Sequence, residues 1–212
     1  MTSEPIGLIC GETGVKLEVG IDDGSGFGVA GDGTLQAGEI DATNYVCNRS
    51  KRVFVTSTSS TGDLSGLTGA AGATGLQAAD NHCMFLATAA GIPGTYKAWL
   101  SDSSISASAR LTHSGAAYVL VDGTVVAFHF TDLTDGSLAA PINRTQLGLP
   151  TTESTIWTGT TVSGAIDSWS CTNWSSAIVN AMTGSPSATD GRWTSATEQN
   201  CATPRALYCF EQ

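Results

Sequence analysis

Basic side chains are scarce in this chain: nine Lys and Arg stand against nineteen Asp and Glu, a formal charge of -10. Such a surface repels a phosphate backbone or an anionic membrane, so no nucleic acid is expected among its partners. Long apolar runs are missing as well. None approaches the eighteen or so residues that cross a bilayer, and no membrane insertion is expected. The opening MTSEPIGLICGE has neither a charged n-region nor an apolar h-region, so export would rely on a signal outside these residues. GxSxG, SxxK and HExxH are all absent, and His82, His113 and His129 fall in no catalytic pattern, which points away from an enzyme. No CxxC occurs among the cysteines at 10, 47, 83, 171, 201 and 209, which argues against a zinc or thiol-redox site.

An even set of six cysteines reads instead as disulfides, and disulfides imply an oxidising compartment, so a secreted or cell-surface protein is expected. The Asn-x-Ser/Thr triplets at Asn48, Asn143 and Asn173 arise readily by chance in a chain this rich in Ser and Thr. With 212 residues, 41 % of them hydrophobic, the chain suits one globular domain and a small appendage. Residues 1–50 form the appendage. Cys10 and Cys47 bracket it, with strand-like VKLEVGI (15–21) and a second candidate at 44–47, and a unit that small needs a staple. Pairing of Cys10 with Cys47 would stabilise it by roughly 4 kcal/mol in the chain-entropy model.

NRSKR (48–52) reads as a linker to the larger domain, residues 51–212. There VFVTSTSS (53–60) alternates as a strand does, and GLTGAAGATG (66–75) reads as a loop. LQAADNHCMFLATAA (76–90) carries Cys83, Phe85, Leu86 and Ala90 at helical spacing and stops at Gly91 and Pro93, which predicts the main helix. YKAWLSD (96–102), AYVLVDGTVVAF (117–128), STIWTG (154–159), SWSCTNWSS (168–176) and ALYCF (206–210) are short strand candidates, with Asp122-Gly123 as a hairpin turn. One main helix with many short strands makes the fold class α+β. Of the four cysteines here, Cys83 lies on the helix and Cys209 in the last strand, with Cys171 and Cys201 between them, and spacing leaves three connectivities open.

The stretch DDGSGFGVAGDGTLQAGE (22–39) contains GFGVAG, a literal GxGxxG. A dinucleotide fingerprint needs a helix after it and amides facing an anion, whereas GDGTL breaks a helix and Asp22, Asp23 and Asp32 would repel a pyrophosphate. From its far end the loop fits an EF-hand instead. Asp32-Gly33 stand as the fifth and sixth positions, Leu35 as the eighth and Glu39 as the closing glutamate, with Asp22 and Asp23 replacing the first ligands across an inserted segment. Asp22, Asp23, Asp32 and Glu39 are therefore the candidate ligands of a structural calcium ion. The segment 10–47, with GVK, GIDDGSG and EIDATNYVC, resembles a short calcium-loop repeat of bacterial secreted proteins.

In the larger domain the order YKAWLSD, YVLVDG, IWTG, SWSCTNWSS, GSPSATDG and ALYCFEQ resembles endostatin, a C-type-lectin-like (endostatin-like) fold, and a bacterial surface-protein domain related to it. The resemblance runs over residues 53–212 and rests on IWTG, CTNW and YCFE at their relative spacing. It implies the nested pairs Cys83–Cys209 and Cys171–Cys201. No calcium-dependent sugar site carries over with it, because the Glu-Pro-Asn or Gln-Pro-Asp and Trp-Asn-Asp motifs of sugar-binding C-type lectins are absent, and endostatin's zinc ligands and basic patch have no matching positions either. Function is thus expected from exposed surfaces, and fold analogy alone does not supply it. Trp157 and Trp174, inside IWTG and CTNW, read as core, while Trp169 and Trp193 sit among polar loops as candidate ligand-binding residues. The expected partners are a carbohydrate, a protein surface or copies of the chain itself. A non-catalytic binding or adhesion module is the leading expectation, and a structural subunit of a filament or surface layer the alternative.

Overall fold

A computed structural model of the chain describes the backbone of residues 2–4 and 13–212 and the side chains of 16–44 and 49–212. The expected Cys10–Cys47 bridge lies outside the described residues. The chain divides into two compact units, Met1–Ser50 and Lys51–Gln212.

The first unit is an antiparallel sheet of β1 (Thr2–Glu4), β2 (Thr13–Gly20) and β3 (Ile40–Asn48), in that order. β2 and β3 pair from Thr13 opposite Asn48 to Gly20 opposite Ile40, and residues 21–39 form the loop that joins them. Within that loop one side chain is buried, and it is a carboxylate: Glu39, 3 % exposed.

The second unit is built on β4 (Lys51–Val55), β5 (Tyr96–Ala98), β6 (Tyr118–Leu120), β7 (Val125–Ala127), β8 (Ile156–Trp157), β9 (Asn180–Gly184), β10 (Thr197–Asn200) and β11 (Ala206–Glu211). The sheet runs β10-β9-β8-β11-β4-β6-β7, and β5 also pairs with β11. The helix α1 (Gly75–Ala89) and the single turns α2 (Ala107–Arg110) and α3 (Phe130–Leu133) complete it. The arrangement is mixed α and β, one main helix with many short strands. β11 is buried along its whole length because each of its faces meets a core. Side chains alternate across a strand, so Leu207 and Cys209 join the cluster of α1, Phe54 and Trp157, while Tyr208 and Phe210 join Trp99, Tyr118 and Trp193 on the other side.

Two disulfides fasten this unit, Cys83–Cys209 between α1 and β11 and Cys171–Cys201 between two loops. The second pair passes so close to Gly62 that a Cβ there would lie 2.1 Å from Cys171 Sγ, which makes glycine obligatory at that position. The expected linker at 48–52 differs from its reading: Lys51 and Arg52 already belong to β4, and the Lys51 N–H donates to the Ala117 carbonyl. The hairpin at Asp122-Gly123 forms as its sequence implies, with Gly123 at φ 87 and the Thr124 N–H on the Asp122 carboxylate. SWSCTNWSS, read as a strand, instead holds a helical turn, Cys171–Trp174, of left hand. β9 and β10 had no counterpart in the reading, since NAMTG and TEQN carry little apolar alternation.

His82 is a fully buried member of α1 whose Nδ1 lies 2.6 Å from the Thr68 carbonyl and whose Nε2 lies 2.9 Å from the Thr58 hydroxyl. The carbonyl can only accept, so Nδ1 carries the proton and Nε2 accepts from Thr58. Burial holds this imidazole below the usual histidine range, against the opposing pull of the Thr68 carbonyl. A depressed pKa gives stability that is complete above the unfolded value of about 6.5 and declines as pH falls below it, because only the unfolded chain then takes up the proton. The melting temperature should therefore fall between about pH 7 and pH 5, and His82→Gln should flatten that fall; an unchanged slope in the variant would assign it to other groups.

Candidate functional site

The glycine-rich loop of the first unit directs its amides inward, onto its own carboxylates. Glu39 accepts the Gly24 N–H on Oε1 at 2.7 Å and the Gln36 N–H on Oε2 at 2.8 Å. Asp22 accepts Gly31 N–H at 2.6 Å and Gly33 N–H at 2.8 Å, one on each oxygen. Asp32 caps the Thr34 N–H and takes the Gln36 amide, while Asp23 caps Ser25, whose hydrogen bonds hold the Asp23 carboxyl below the usual range. Glycine is needed where these groups crowd the backbone: a Cβ on Gly28 would lie 2.5 Å from Glu39 Oε1. So GFGVAG serves close approach to a carboxylate within the chain, and no helix follows it to receive a pyrophosphate.

The four expected calcium ligands are brought to one loop but not to one point. Among the described residues no three carboxyl, imidazole or thiol groups gather as a metal cluster. A calcium ion takes six to eight oxygens, and each carboxylate oxygen of Asp22, Asp32 and Glu39 here accepts one hydrogen bond from the loop and keeps a further lone pair. In this arrangement the carboxylates themselves cross-link the loop.

In the second unit the informative stretch is 166–179. Cys171, Thr172, Asn173 and Trp174 all have positive φ, 49, 53, 57 and 63°, a left-handed turn that costs about 1–2 kcal/mol per residue. Its surroundings hold it there. The disulfide fixes Cys171, the Trp174 indole donates to the Ser101 carbonyl at 2.8 Å, and Asn173 Oδ1 accepts the Ser103 N–H at 2.9 Å. Immediately before the turn, Trp169 is 43 % exposed, and the Met182 N–H on its carbonyl lays it beside β9, which Ile178 and Val179 lead into. Ile166, Ile178 and Val179 are exposed on these same two segments. The sequence reading missed these three, although apolar residues amid otherwise polar loops are the feature that marks them.

Trp193, the other candidate ligand residue, is corrected to a core residue. It is fully buried, its ring 5.1 Å from Trp99 and 5.8 Å from Tyr208. The polar run before it ends in the 3-10 turn Gly191–Trp193, capped by the Asp190 carboxylate on the Arg192 N–H, and that turn carries the indole inward. Trp99, Trp157 and Trp174 are also fully buried, so Trp169 is the single exposed tryptophan of five. Each histidine has defined partners: His82 as above, His113 stacked on Phe130 at 3.7 Å with its Nε2 2.8 Å from the Ser108 carbonyl, and His129 accepting the Asp132 N–H at the start of α3.

The family described as Domain of unknown function (DUF7151) matches residues 1–47, within the chain's 212. No curated protein matches the chain.

The loop network yields a direct expectation for Glu39→Ala. It leaves two amides without their charged acceptor, and at about 1.5 kcal/mol or more per charge-assisted bond the loop should lose about 3 kcal/mol. Amide exchange at Gly24 and Gln36 should then accelerate on the order of a hundredfold, equally in EDTA and in calcium. A loss seen in calcium alone would return these carboxylates to the role of ion ligands.

Proposed function

We propose that the chain is a non-catalytic binding or adhesion module working outside the cytoplasm, and that its larger unit takes the C-type-lectin-like course implied by IWTG, CTNW and YCFE. The observation that carries this reading is Trp169, exposed on a segment fixed by a disulfide and a left-handed turn, with Ile166 exposed on the same segment and Ile178 and Val179 on the one leading into β9. An exposed tryptophan suits a partner, because the indole offers a large rigid face and a polar edge. Rigid backing lowers the ordering entropy of binding. Two disulfides support an oxidising compartment, and the tie from α1 to β11 accords with the nested pairing of that fold.

With the other four tryptophans buried, acrylamide quenching reports Trp169 alone. Immobilised panels of polysaccharides and extracellular matrix proteins should yield a partner that shields Trp169 from the quencher. Trp169→Ser should weaken that capture at least tenfold, about 1.4 kcal/mol, with an unchanged melting temperature. Undiminished capture by the variant would remove Trp169 from the partner surface.

A structural subunit assembled through the first unit is the second reading, favoured by Val19, Ile21, Phe27 and Val29, all more than half exposed. Phe27 projects fully into solvent at φ 77, a conformation seldom adopted by aromatic residues. On this reading light scattering shows the chain growing in mass with concentration while Phe27→Ser stays monomeric; a wild-type protein monomeric throughout would dismiss assembly.

A further inference from the structure

A cleft of about 200 Å³ in the second unit opens between the residues that follow β4 and the tight turn at 144–151. The turn is preformed. The Val55 N–H donates to the Arg144 carbonyl, Thr145 N–H to Leu149, Gly148 N–H back to Thr145, and Thr151 N–H to Asn143, with Gly148 at φ 76. Gln146, 6 % exposed, bolts the turn to Ser57 through two hydrogen bonds, Nε2 to the Ser57 hydroxyl at 2.6 Å and Oε1 from the Ser57 N–H at 3.1 Å. None of these residues belongs to the Trp169 surface.

The lining has a definite chemistry. The hydroxyl oxygens of Ser57, Thr145 and Thr151 each accept one hydrogen bond, from Gln146, Leu147 N–H and Glu153 N–H respectively, and none of the three donates to a described residue. Their protons are available to the cleft. Glu153 supplies the opposite function: its carboxylate receives no hydrogen bond from the described residues, and burial raises its pKa, with Arg205 pulling the other way. Arg205 itself is engaged by Thr155 and Gln199. Leu147 and Leu149 stand at the rim, each 59 % exposed, with Pro150 beside them, an apolar edge on a turn too constrained to fold them away.

An anionic ligand would meet the Glu153 carboxylate with no lining cation to offset it. A cationic one would find one carboxylate but three hydroxyl protons. A neutral ring bearing several hydroxyls answers every group: its oxygens accept from Ser57, Thr145 and Thr151, one of its hydroxyls donates to Glu153, and its C–H face lies on the leucines. The volume is below the roughly 300 Å³ at which drug-sized sites begin, enough for a single ring. We propose that this cleft is a binding site for a neutral polyhydroxylated ring, a sugar residue or cyclitol, taken without a metal ion and independently of Trp169.

The test is a titration of the isotope-labelled full chain in EDTA with methyl glucoside, methyl galactoside and myo-inositol, each followed by amide chemical shifts. Butylammonium and glucuronate serve as charged controls. At least one neutral probe should move the Ser57, Leu147, Thr151 and Glu153 amides while leaving Trp169 and Gly24 in place. Glu153→Gln and, separately, Leu147→Ser should raise its Kd about tenfold or more, and Trp169→Ser should leave it unchanged. Leu149→Ser replaces either variant whose amide spectrum shows it unfolded. The proposal is overturned if no neutral probe moves these amides, if butylammonium alone does, or if the variants bind as the wild type does.

Discussion

Strand β11 holds the second unit together. β4 pairs with one edge, β8 and β5 share the other, and its two faces belong to two different hydrophobic clusters. Both cores therefore depend on one six-residue segment, and so does the continuity of the sheet. Cys209 sits at its middle and ties it to Cys83 across a sequence separation of 126 residues. Closing a loop of that length in the unfolded chain removes conformational entropy equivalent to about 5 kcal/mol in the chain-entropy model. The covalent tie thus falls where the noncovalent structure relies most on contacts distant in sequence, the contacts that are slowest to form.

From that frame the surface loops gain their rigidity. The left-handed turn at Cys171–Trp174 persists against its intrinsic cost because its two end side chains, Cys171 and Trp174, are buried against partners the sheet has already fixed. Trp169 is presented as a consequence: the indole five residues before Trp174 cannot follow it into the core, since Trp174 already packs there at 6.0 Å from Trp157. The turn at 144–151 shows the same logic through hydrogen bonds rather than a disulfide. Gln146 occupies the buried position that an apolar residue would otherwise take, and Leu147 and Leu149 are left outside.

What could be read from the sequence follows from the range of the forces involved. The helix at 75–89, the Asp122-Gly123 hairpin and ALYCF are set by periodicity or turn chemistry over a few neighbours, and there reading and structure agree closely. Trp193 and Cys171–Trp174 were misread because their conformations answer to Trp99, Ser101 and Cys201, none of them local. β9 and β10 escaped for the related reason that their pairing compensates for weak apolar alternation. The cleft beside Glu153 was beyond reach altogether, since Ser57 and Gln146 stand 89 residues apart and polar residues in loops carry no pattern that predicts convergence.

The first unit poses the opposite difficulty, a local motif that several chemistries could explain. GFGVAG suits a phosphate cradle, an ion loop or a self-capped turn equally well by composition, because all three need glycine for sharp turns and free amides. The direction of the amides sets the phosphate cradle apart from the other two. A phosphate cradle leaves its N–H groups facing an empty concavity, and an ion loop turns carbonyls and carboxylates to one centre. Here the N–H groups of Gly24, Gly31, Gly33 and Gln36 already end on Glu39 and Asp22, and Gly28 is small so that Glu39 can reach them. Among the described side chains of this loop Glu39 is the one that is buried. Within the loop, charge-assisted bonds to that buried carboxylate, each stronger than a neutral one, tie the backbone together.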